Sequence, residues 1–525
     1  MLALFLPLFL VLLLVGVPVF FAMLVAPGFM LFAADQGRDV ALMYRNIYNG
    51  IDNGVLLAIP FFMLAGELMN RGGITERLVS FSQAIIGSVR GGLAQVNILS
   101  SMLFAGMSGS AVADTSALGS MLIPAMEREG YTRRFAAAIT AASSVIGPII
   151  PPSGIMIIYA YVMEVSVAAL FAGGIVPGLL VGLGLMAVTR LMANRYEFPP
   201  AERQVLEVEI SGVENWAARL IVRVAIVALF FAFIPALIRG LSALIGYLFS
   251  FVTDADLTPP LAWLDHTVGS IIILVASIAL AEFYLGWQRR TVSEGFRTVA
   301  KRAVLPLLTP IIILGGILGG IATPTEASAL AVFYALVLGL VVLRTLKLSD
   351  LPDVFTRSAI ASAVVLLLVG AAMAFKTVVS LSHAAEQMAE WIVTLTSDPL
   401  MLLLLINLLL FVVGMFLDAG PAIIILGPIL APIFIAMGVH PVHFAMIMSV
   451  NLTVGLATPP MGLVLFVASS VSGEKVETIS KAILPFLAVE VLVIALITYF
   501  PVVSLGIPYA LDLVQGVDLW GPLLR

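Results

Sequence analysis

The chain has no cysteine among its 525 residues, which excludes disulfide bonds and thiolate metal sites. Charge is also scarce, since Asp, Glu, Lys and Arg together supply 11% of the residues. Soluble domains carry about 25% charged residues, so this composition excludes a soluble protein. His440 and His443 have the spacing of a metal pair, but nothing in the sequence supplies further ligands. We expect no cofactor, no transition-metal site and no nucleic-acid partner.

Apolar sequence fills the chain instead, because 61% of its residues are hydrophobic. Runs of about 20 apolar residues recur from end to end, and each is long enough to cross a bilayer as a helix. Backbone polar groups find no water in lipid, so the crossing segments should be helical. The alternating pattern of an outer-membrane barrel is missing. The sequence therefore predicts an all-α integral membrane protein.

A repeat divides this apolar sequence into two halves. Helix-breaking residues of the first half recur 308 residues later, so that Gly106 matches Gly414. Interrupted helices at matched positions of two halves indicate the binding site of a transporter built from repeats. The other matched pairs are Met107 and Met415, Pro124 and Pro432, Gly130 and Gly438, Gly147 and Gly455, Pro151 and Pro459, Pro152 and Pro460, and Gly154 and Gly462.

About eleven spans fit the apolar runs, and the N-terminal run is interpreted as a span and not as a cleaved signal peptide. Basic residues gather on the cytoplasmic side of membrane proteins. A cytoplasmic N-terminus and a periplasmic C-terminus place all basic residues inside except Arg38, Arg45, Arg239, Lys376 and Arg525. The expected spans are roughly 2–33, 52–69, 133–163, 168–192, 217–250, 267–287, 303–321, 324–343, 358–376, 441–470 and 482–500.

Two further apolar segments, 92–127 and 400–437, are interrupted near their middles by flexible, polar stretches. We predict two re-entrant hairpins, the first entering from the cytoplasm and the second from outside, as inverted repeats require. Amphipathic arms at about 72–88 and 380–394 precede them. The expected regions are a first repeat at 1–192 with a broken helix at 133–163, a three-span linker at 193–323 with a two-helix insertion, a second repeat at 324–505 with a broken helix at 441–470, and a tail at 506–525.

The first hairpin tip, Ser108-Gly109-Ser110, combines a flexible backbone with two hydroxyls. Such oxygens suit a hard cation, and broken helices supply them at mid-membrane. Helix packing by small residues is the plainer alternative. Asp114 follows in the returning arm, where a carboxylate at membrane depth is costly and indicates a functional site. Its alternative role is a helix cap or the partner of a basic group.

The broken helices carry matched double prolines, Pro151-Pro152 and Pro459-Pro460. Proline removes a backbone donor and opens the helix ladder. Freed carbonyls can hold a cation, while the N-terminus of the following half-helix favours an anion. A simple proline kink is the alternative explanation.

Three other charged residues have two interpretations each. Asp418, at the second tip, carries the same argument as Asp114, although Gly420 and Pro421 also indicate an ordinary turn. Glu326 completes a capping box that starts a helix, with a second role near the site left open. Lys376 either extends to the membrane interface or pairs with an anionic substrate or an acid in the site.

Long motifs lie at Gly106–Asp114, Ile123-Pro124, Gly130-Tyr131, Ala142–Ser153 and Gly320–Ala327. They resemble the large membrane subunit of TRAP (tripartite ATP-independent periplasmic) transporters. The resemblance covers nearly the whole chain except roughly 200–290. It implies a Na⁺-driven secondary importer, a symporter, of organic acids such as dicarboxylates, which works as an elevator in the bacterial inner membrane.

The resemblance also implies separate partners: a small four-helix membrane subunit and a periplasmic substrate-binding protein. It places Na⁺, the coupling ion, around the hairpins and broken helices, with substrate between the tips. The expected Na⁺ ligands are Ser108, Gly109, Ser110, Asp114, Ser143, Gly147, Gly414, Asp418, Asn451, Thr453 and Gly455. The expected substrate contacts are Ser110, Pro152, Ser153, Glu326, Lys376, Thr458 and Pro459.

The sequence departs from the family in its linker, which normally holds one span and here holds two more, at about 217–250 and 267–287. We expect them to extend the static scaffold and to contact the small subunit or lipid. The main alternative function is an ion-translocating subunit of a membrane redox complex, but the spans nearly lack the charged relays of such proteins. A channel fits the topology less well than alternating access. No residue cluster indicates an enzyme.

Overall fold

The computed structural model describes residues 2–33, 37–195, 210–250, 267–381 and 398–516. Within these ranges the chain is helical and forms no strand, which confirms the all-α prediction. Nine of the described helices are long and apolar enough to cross a membrane. The helices are α1 (Leu2–Leu14), α2 (Val19–Ala33), α3 (Gly37–Ile51), α4 (Ala58–Arg71), α5 (Ile74–Ile86), α6 (Gly92–Ser108), α7 (Ala111–Arg128), α8 (Arg133–Ser144), α9 (Gly154–Met163), α10 (Val167–Arg195), α11 (Gly212–Ser250), α12 (Thr267–Thr291), α13 (Glu294–Leu318), α14 (Pro324–Val337), α15 (Leu351–Leu381), α16 (Pro399–Phe416), α17 (Ala419–Ala436), α18 (Pro441–Gly455), α19 (Leu463–Ser472), α20 (Val476–Tyr499) and α21 (Val502–Ala510).

The first predicted span, 2–33, is wrong as one continuous helix. α1 ends at Leu14 and α2 begins only at Val19. Gly16 between them has a φ of +88°, the left-handed conformation with which glycine ends many helices. Pro18 follows and cannot continue the ladder of α1. Because the sequence on both sides of Gly16 and Pro18 is apolar, this helix end was not predicted.

Both hairpins form as helix–turn–helix units. α6 and α7 meet at Gly109, and α16 and α17 meet at Leu417 and Asp418. Shifted by 308 residues, the bounds of α6 and α7 become 400–416 and 419–436, which agree with those of α16 and α17 to within one residue. Because α17 is itself long and apolar enough to cross a membrane, the re-entrant geometry stays a prediction.

Both predicted broken helices are interrupted where the double prolines stand. In the first repeat α8 ends at Ser144 and α9 begins at Gly154, and in the second α18 ends at Gly455 and α19 begins at Leu463. The bonds Pro151–Pro152 and Pro459–Pro460 are both cis. Each break therefore leaves two helix ends inside the protein, where their backbone N–H and C=O groups can bind a ligand.

The chain divides into two compact units, Met1–Arg203 with Leu307–Arg525, and Gln204–Pro306. The smaller unit contains the two predicted additional helices, observed as α11 and α12, and the first half of α13. In the larger unit α15 packs against α3, α4 and α17, and α8 packs against both arms of the first hairpin and against α20. These contacts hold the two hairpins against one common helical framework.

Two smaller predictions meet the structure only in part. The first amphipathic arm is observed as α5, whereas most of the second, 380–394, lies outside the described residues. The predicted tail at 506–525 starts too early, since α21 continues to Ala510. The remaining residues 517–525 are also outside the described ranges.

Candidate functional site

A cavity of about 610 Å³ lies in the larger unit, where both hairpin tips contribute to its lining. Ser108, Gly109 and Ser110 line it from the first tip and Asp418 from the second. The remaining lining includes Pro152 and many apolar side chains of α4, α9, α15 and α17. A mostly apolar cavity of this size with a few convergent polar groups is typical of a small-molecule site.

The first tip rests directly on the break between α8 and α9. Gly109 has a φ of +60°, and a methyl group there would lie 2.8 Å from the carbonyl oxygen of Pro152. The Ser110 hydroxyl accepts a hydrogen bond from the Ala113 amide at 3.4 Å and caps α7. The close approach of the tip to Pro152 therefore requires glycine at position 109. This approach brings the hydroxyls of the tip beside the broken helix.

Asp114 is fully buried one turn beyond this tip. Its Oδ1 accepts a hydrogen bond from the Ser108 hydroxyl. Its Oδ2 has no hydrogen-bond partner among the described residues and lies against Gly147, where a methyl group would collide with it. A buried acceptor without a donor is costly. The arrangement of an acid, a hydroxyl and an opened backbone suits a hard cation.

Ser143 lies behind the tip in a network of hydroxyl and amide groups. Its Oγ accepts a hydrogen bond from Ser101 at 2.9 Å and donates to Asn97 Oδ1 at 3.2 Å. Thr115 on α7 donates to Ser144 on α8 at 2.6 Å. These bonds join both hairpin arms to the first half of the broken helix.

The second repeat builds a corresponding contact from different groups. Asn451 stands where the repeat places Ser143, and its Nδ2 donates to Asn407 Oδ1 at 2.6 Å. Its own Oδ1 is buried and has no partner in the described part of the chain. Gly414 and Gly455 touch so closely that a methyl group on Gly455 would lie 2.6 Å from the Gly414 α-carbon. The second half thus has an amide oxygen available at the position where the first half has the Ser143 hydroxyl.

Other predicted residues make local bonds. The hydroxyls of Thr453 and Thr458 donate to carbonyls one turn earlier at 2.7 and 2.9 Å. Ser153 accepts from the Met156 amide at 3.4 Å and caps α9. Pro459 is half-buried in the second break. Asp418 accepts from the Ala419 amide at 2.8 Å and also faces the cavity.

Lys376 and Glu326 are not among the described residues that line the cavity. The Lys376 ammonium lies 3.1 Å from Glu164 Oε1 and 2.9 Å from the Val162 carbonyl oxygen. The Glu326 carboxylate accepts from the amide and the hydroxyl of Thr323, both at 2.8 Å. The capping-box interpretation of Glu326 is confirmed, and Lys376 pairs with an acid near the end of α9.

Residues 6–259 and 226–503 match the family model described as "Tripartite ATP-independent periplasmic transporter, DctM component". The chain belongs to the DctM family. It is 34% identical over 498 residues to the sialic acid TRAP transporter large permease protein SiaM of Vibrio cholerae, covering 95% of this chain and 96% of that protein. It is 33% identical to the C4-dicarboxylate TRAP transporter large permease protein DctM of Pseudomonas aeruginosa, covering 91% of each.

A solved structure gives a likeness in fold to this DctM-family chain. It is the YdaH transporter of Alcanivorax borkumensis, with a TM-score of 0.52 and 18% identity, covering 94% of this chain and 91% of that one. DctM relatives are transport permeases and not enzymes. The chain is therefore a multi-pass membrane permease of a tripartite system, and the redox-complex alternative is not favoured.

Sequence reasoning missed several polar residues of the DctM-family cavity, including Glu67 and Asn70 on α4 and Arg357 on α15. Among the described lining residues, Arg357 carries the one positive charge. It was assigned to a cytoplasmic loop because the predicted span began at residue 358, whereas α15 begins at Leu351. Its Nε lies 3.1 Å from Asp353 Oδ1, one turn earlier. That i, i+4 spacing of acid and base was the available signal that the helix extends past the apolar run.

Proposed function

We propose that this DctM-family chain is the transport subunit of a Na⁺-coupled, binding-protein-dependent secondary importer of organic acids. The observation that carries the proposal is the cavity lined by both hairpin tips, with Asp114 Oδ2, which has no partner among the described residues, buried directly behind one of them. A substrate site and an adjoining cation site that share one hairpin provide the physical basis for coupling, because occupation of one orders the other.

Asp114, Ser108 and Gly147 would hold the first Na⁺. The carboxylate supplies charge, and the hydroxyl and the backbone carbonyls at the break supply further oxygens. Asn451, Thr453 and the closely packed pair Gly414 and Gly455 would form the second site with neutral oxygens only. The two sites should therefore differ in affinity, since a carboxylate attracts a cation more strongly than an amide oxygen does.

An organic acid would lie in the cavity between the tips. The α9 N-terminus, capped by Ser153, presents backbone amides that favour an anion. Arg357 supplies a positive charge across the cavity. The relatives named for sialic acid and C4-dicarboxylates motivate the choice of carboxylates as the substrate class.

Transport would follow an elevator scheme. The hairpins and broken helices of two inverted repeats would move as one body with their substrate, and the remaining helices would form the scaffold that carries a small membrane subunit. A periplasmic binding protein would deliver the acid to a permease whose N-terminus is cytoplasmic. The bonded network from Ser101 to Ser144 supports a rigid moving body.

The cation part of the proposal is tested by thermal stability of the purified protein in NaCl against KCl at equal ionic strength. Na⁺ should raise the melting temperature of the wild type in a saturable manner, since a ligand of the native state stabilises it. Asp114→Asn should shift the midpoint of that titration to higher Na⁺. Equal stabilisation of the wild type by K⁺ and Na⁺ would overturn the assignment.

A further inference from the structure

The smaller unit contains a second cavity of about 570 Å³, enclosed by α11, α12 and α13. Its lining is strongly basic, with a single carboxylate, Glu294, among the described residues that form it. The basic side chains are Arg219, Arg223, Arg289, Arg297 and Lys301. Neither the transport cavity nor the family matches account for this cluster.

Internal pairing neutralises only part of the charge. Arg223 Nε lies 2.7 Å from Glu282 Oε1, and Arg219 Nε donates to the amide oxygen of Asn215 at 3.0 Å. Arg297 Nε is buried and has no hydrogen-bond partner in the described part of the chain. The positive charges of Arg219, Arg289 and Arg297 also repel that of Lys301. An anion in the cavity would relieve this repulsion and accept a hydrogen bond from Arg297 Nε, which has no partner among the described residues.

Aromatic residues place this cavity at a membrane surface. Trp216 near the start of α11 and Trp287 near the end of α12 are 67% and 55% exposed. The rings of Trp287 and Tyr284 are 6.0 Å apart. Tryptophan and tyrosine concentrate at the level of the lipid headgroups, and basic residues stand beside them. The basic cavity therefore lies where lipid phosphates lie.

Away from the basic cavity, α11 and α12 expose apolar side chains on their surface. In the apolar 18-residue windows of the Gly212–Pro235 and Ser270–Thr291 spans, only 6% and 17% are buried. Large side chains such as Val224, Ile278 and Phe283 point outward, Phe283 with 75% of its surface exposed. Acyl chains attached to a phosphate in the cavity would cover this surface.

We propose that the smaller unit is a binding site for an anionic phospholipid, with the phosphate headgroup in the basic cavity and the acyl chains along α11 and α12. Guanidinium groups match phosphate oxygens in pairs, and basic pockets between membrane helices bind anionic headgroups. The two additional helices of the linker thereby acquire a function independent of the proposed transport chemistry.

The proposal is tested by native mass spectrometry of the full-length protein in detergent, titrated with phosphatidylglycerol or phosphatidylcholine. The wild type should retain one phosphatidylglycerol in preference to phosphatidylcholine. Arg219→Gln/Arg297→Gln/Lys301→Gln should weaken that binding about 100-fold, because each basic residue near anionic lipid contributes about fivefold. The single variant Arg297→Gln, expected to lose about fivefold, serves if the triple variant does not fold.

The matched control, Arg134→Gln/Lys475→Gln/Lys481→Gln, removes three exposed basic residues outside the smaller unit and should keep the wild-type affinity. An equal loss of phosphatidylglycerol affinity in this control would overturn the proposal, because net charge alone would then explain the binding. Displacement of the lipid by millimolar inorganic phosphate would assign the cavity to a free anion. If the triple variant lost the co-purified small subunit but still bound the lipid, the basic cavity would be assigned to a protein partner. Either result contradicts the lipid site.

Discussion

Oδ2 of Asp114 lies against the α-carbon of Gly147, so that the buried acid of the first hairpin points into the break of the first interrupted helix. This contact joins two segments separated by 33 positions of sequence into one candidate cation site. It also explains why a residue without a side chain stands at the break, since a methyl group would occupy the space beside the carboxylate.

Gly147→Ala should abolish Na⁺ stabilisation and destabilise the protein by about 1–3 kcal/mol, because the additional methyl group must displace the Asp114 carboxylate or the backbone. The measurement is the melting temperature with and without Na⁺. Gly427→Ala is the matched control, since its methyl group would make only ordinary contact with Met163 Sδ at 3.5 Å. Retention of the full Na⁺ response in Gly147→Ala would show that the cation lies elsewhere.

Asp114→Asn should raise the Na⁺ concentration for half-maximal uptake about tenfold or more, because hydrogen bonds and contacts to charged groups contribute about 1.5–3 kcal/mol. The amide keeps the shape and removes the charge. Glu127→Gln on the same helix is the control, since Glu127 is exposed and pairs with Arg133 at 2.9 Å. Indistinguishable Na⁺ curves for Asp114→Asn and the control would exclude Asp114 as a ligand.

Arg357→Gln should raise the KM for an organic acid about tenfold through the loss of a charge-assisted contact, and leave the Na⁺ dependence unchanged. Initial rates of uptake at varied substrate concentration measure this. Arg71→Gln is the control, because Arg71 shares Asp353 as a partner at 2.6 Å and does not belong to the described lining of the cavity. A KM that rises equally in both variants would assign the effect to Asp353 and not to substrate.

Glu490→Gln should raise the melting temperature, because a carboxylate buried without a partner costs more than an amide in the same place. Glu490 is fully buried on α20, and neither carboxylate oxygen has a partner in the described residues. The control Glu477→Gln changes an exposed acid on the same helix. A fall in melting temperature for Glu490→Gln alone would contradict the account and reveal a stabilising ligand of this acid.

The paired architecture could be predicted from the sequence because it depends on residues with strong backbone effects. Double prolines interrupt helices in any context, and the tip glycine Gly109 permits a left-handed turn, so the hairpins and breaks follow from residue type and register. Gly16 and Pro18 carried the same kind of signal, but the continuous apolar run around them favoured a single span.

Side-chain partners were harder to predict, because they depend on which helices become neighbours. Nothing local indicates that Lys376 meets Glu164, 212 positions away. The cavity position of Arg357 likewise requires α15 to pack against α4 and α17. The proposed cation ligands Asp114 and Gly147 were expected individually, but their direct contact is a property of the tertiary structure.

Uptake into proteoliposomes tests the central claim most directly. The chain is reconstituted with its small membrane subunit, and uptake of labelled sialic acid and succinate is measured with an inward Na⁺ gradient, with and without the periplasmic binding protein. We predict accumulation only when both the Na⁺ gradient and the binding protein are present, with a Na⁺ requirement about tenfold higher in Asp114→Asn. Uptake at full rate in K⁺ buffer without binding protein would contradict the account.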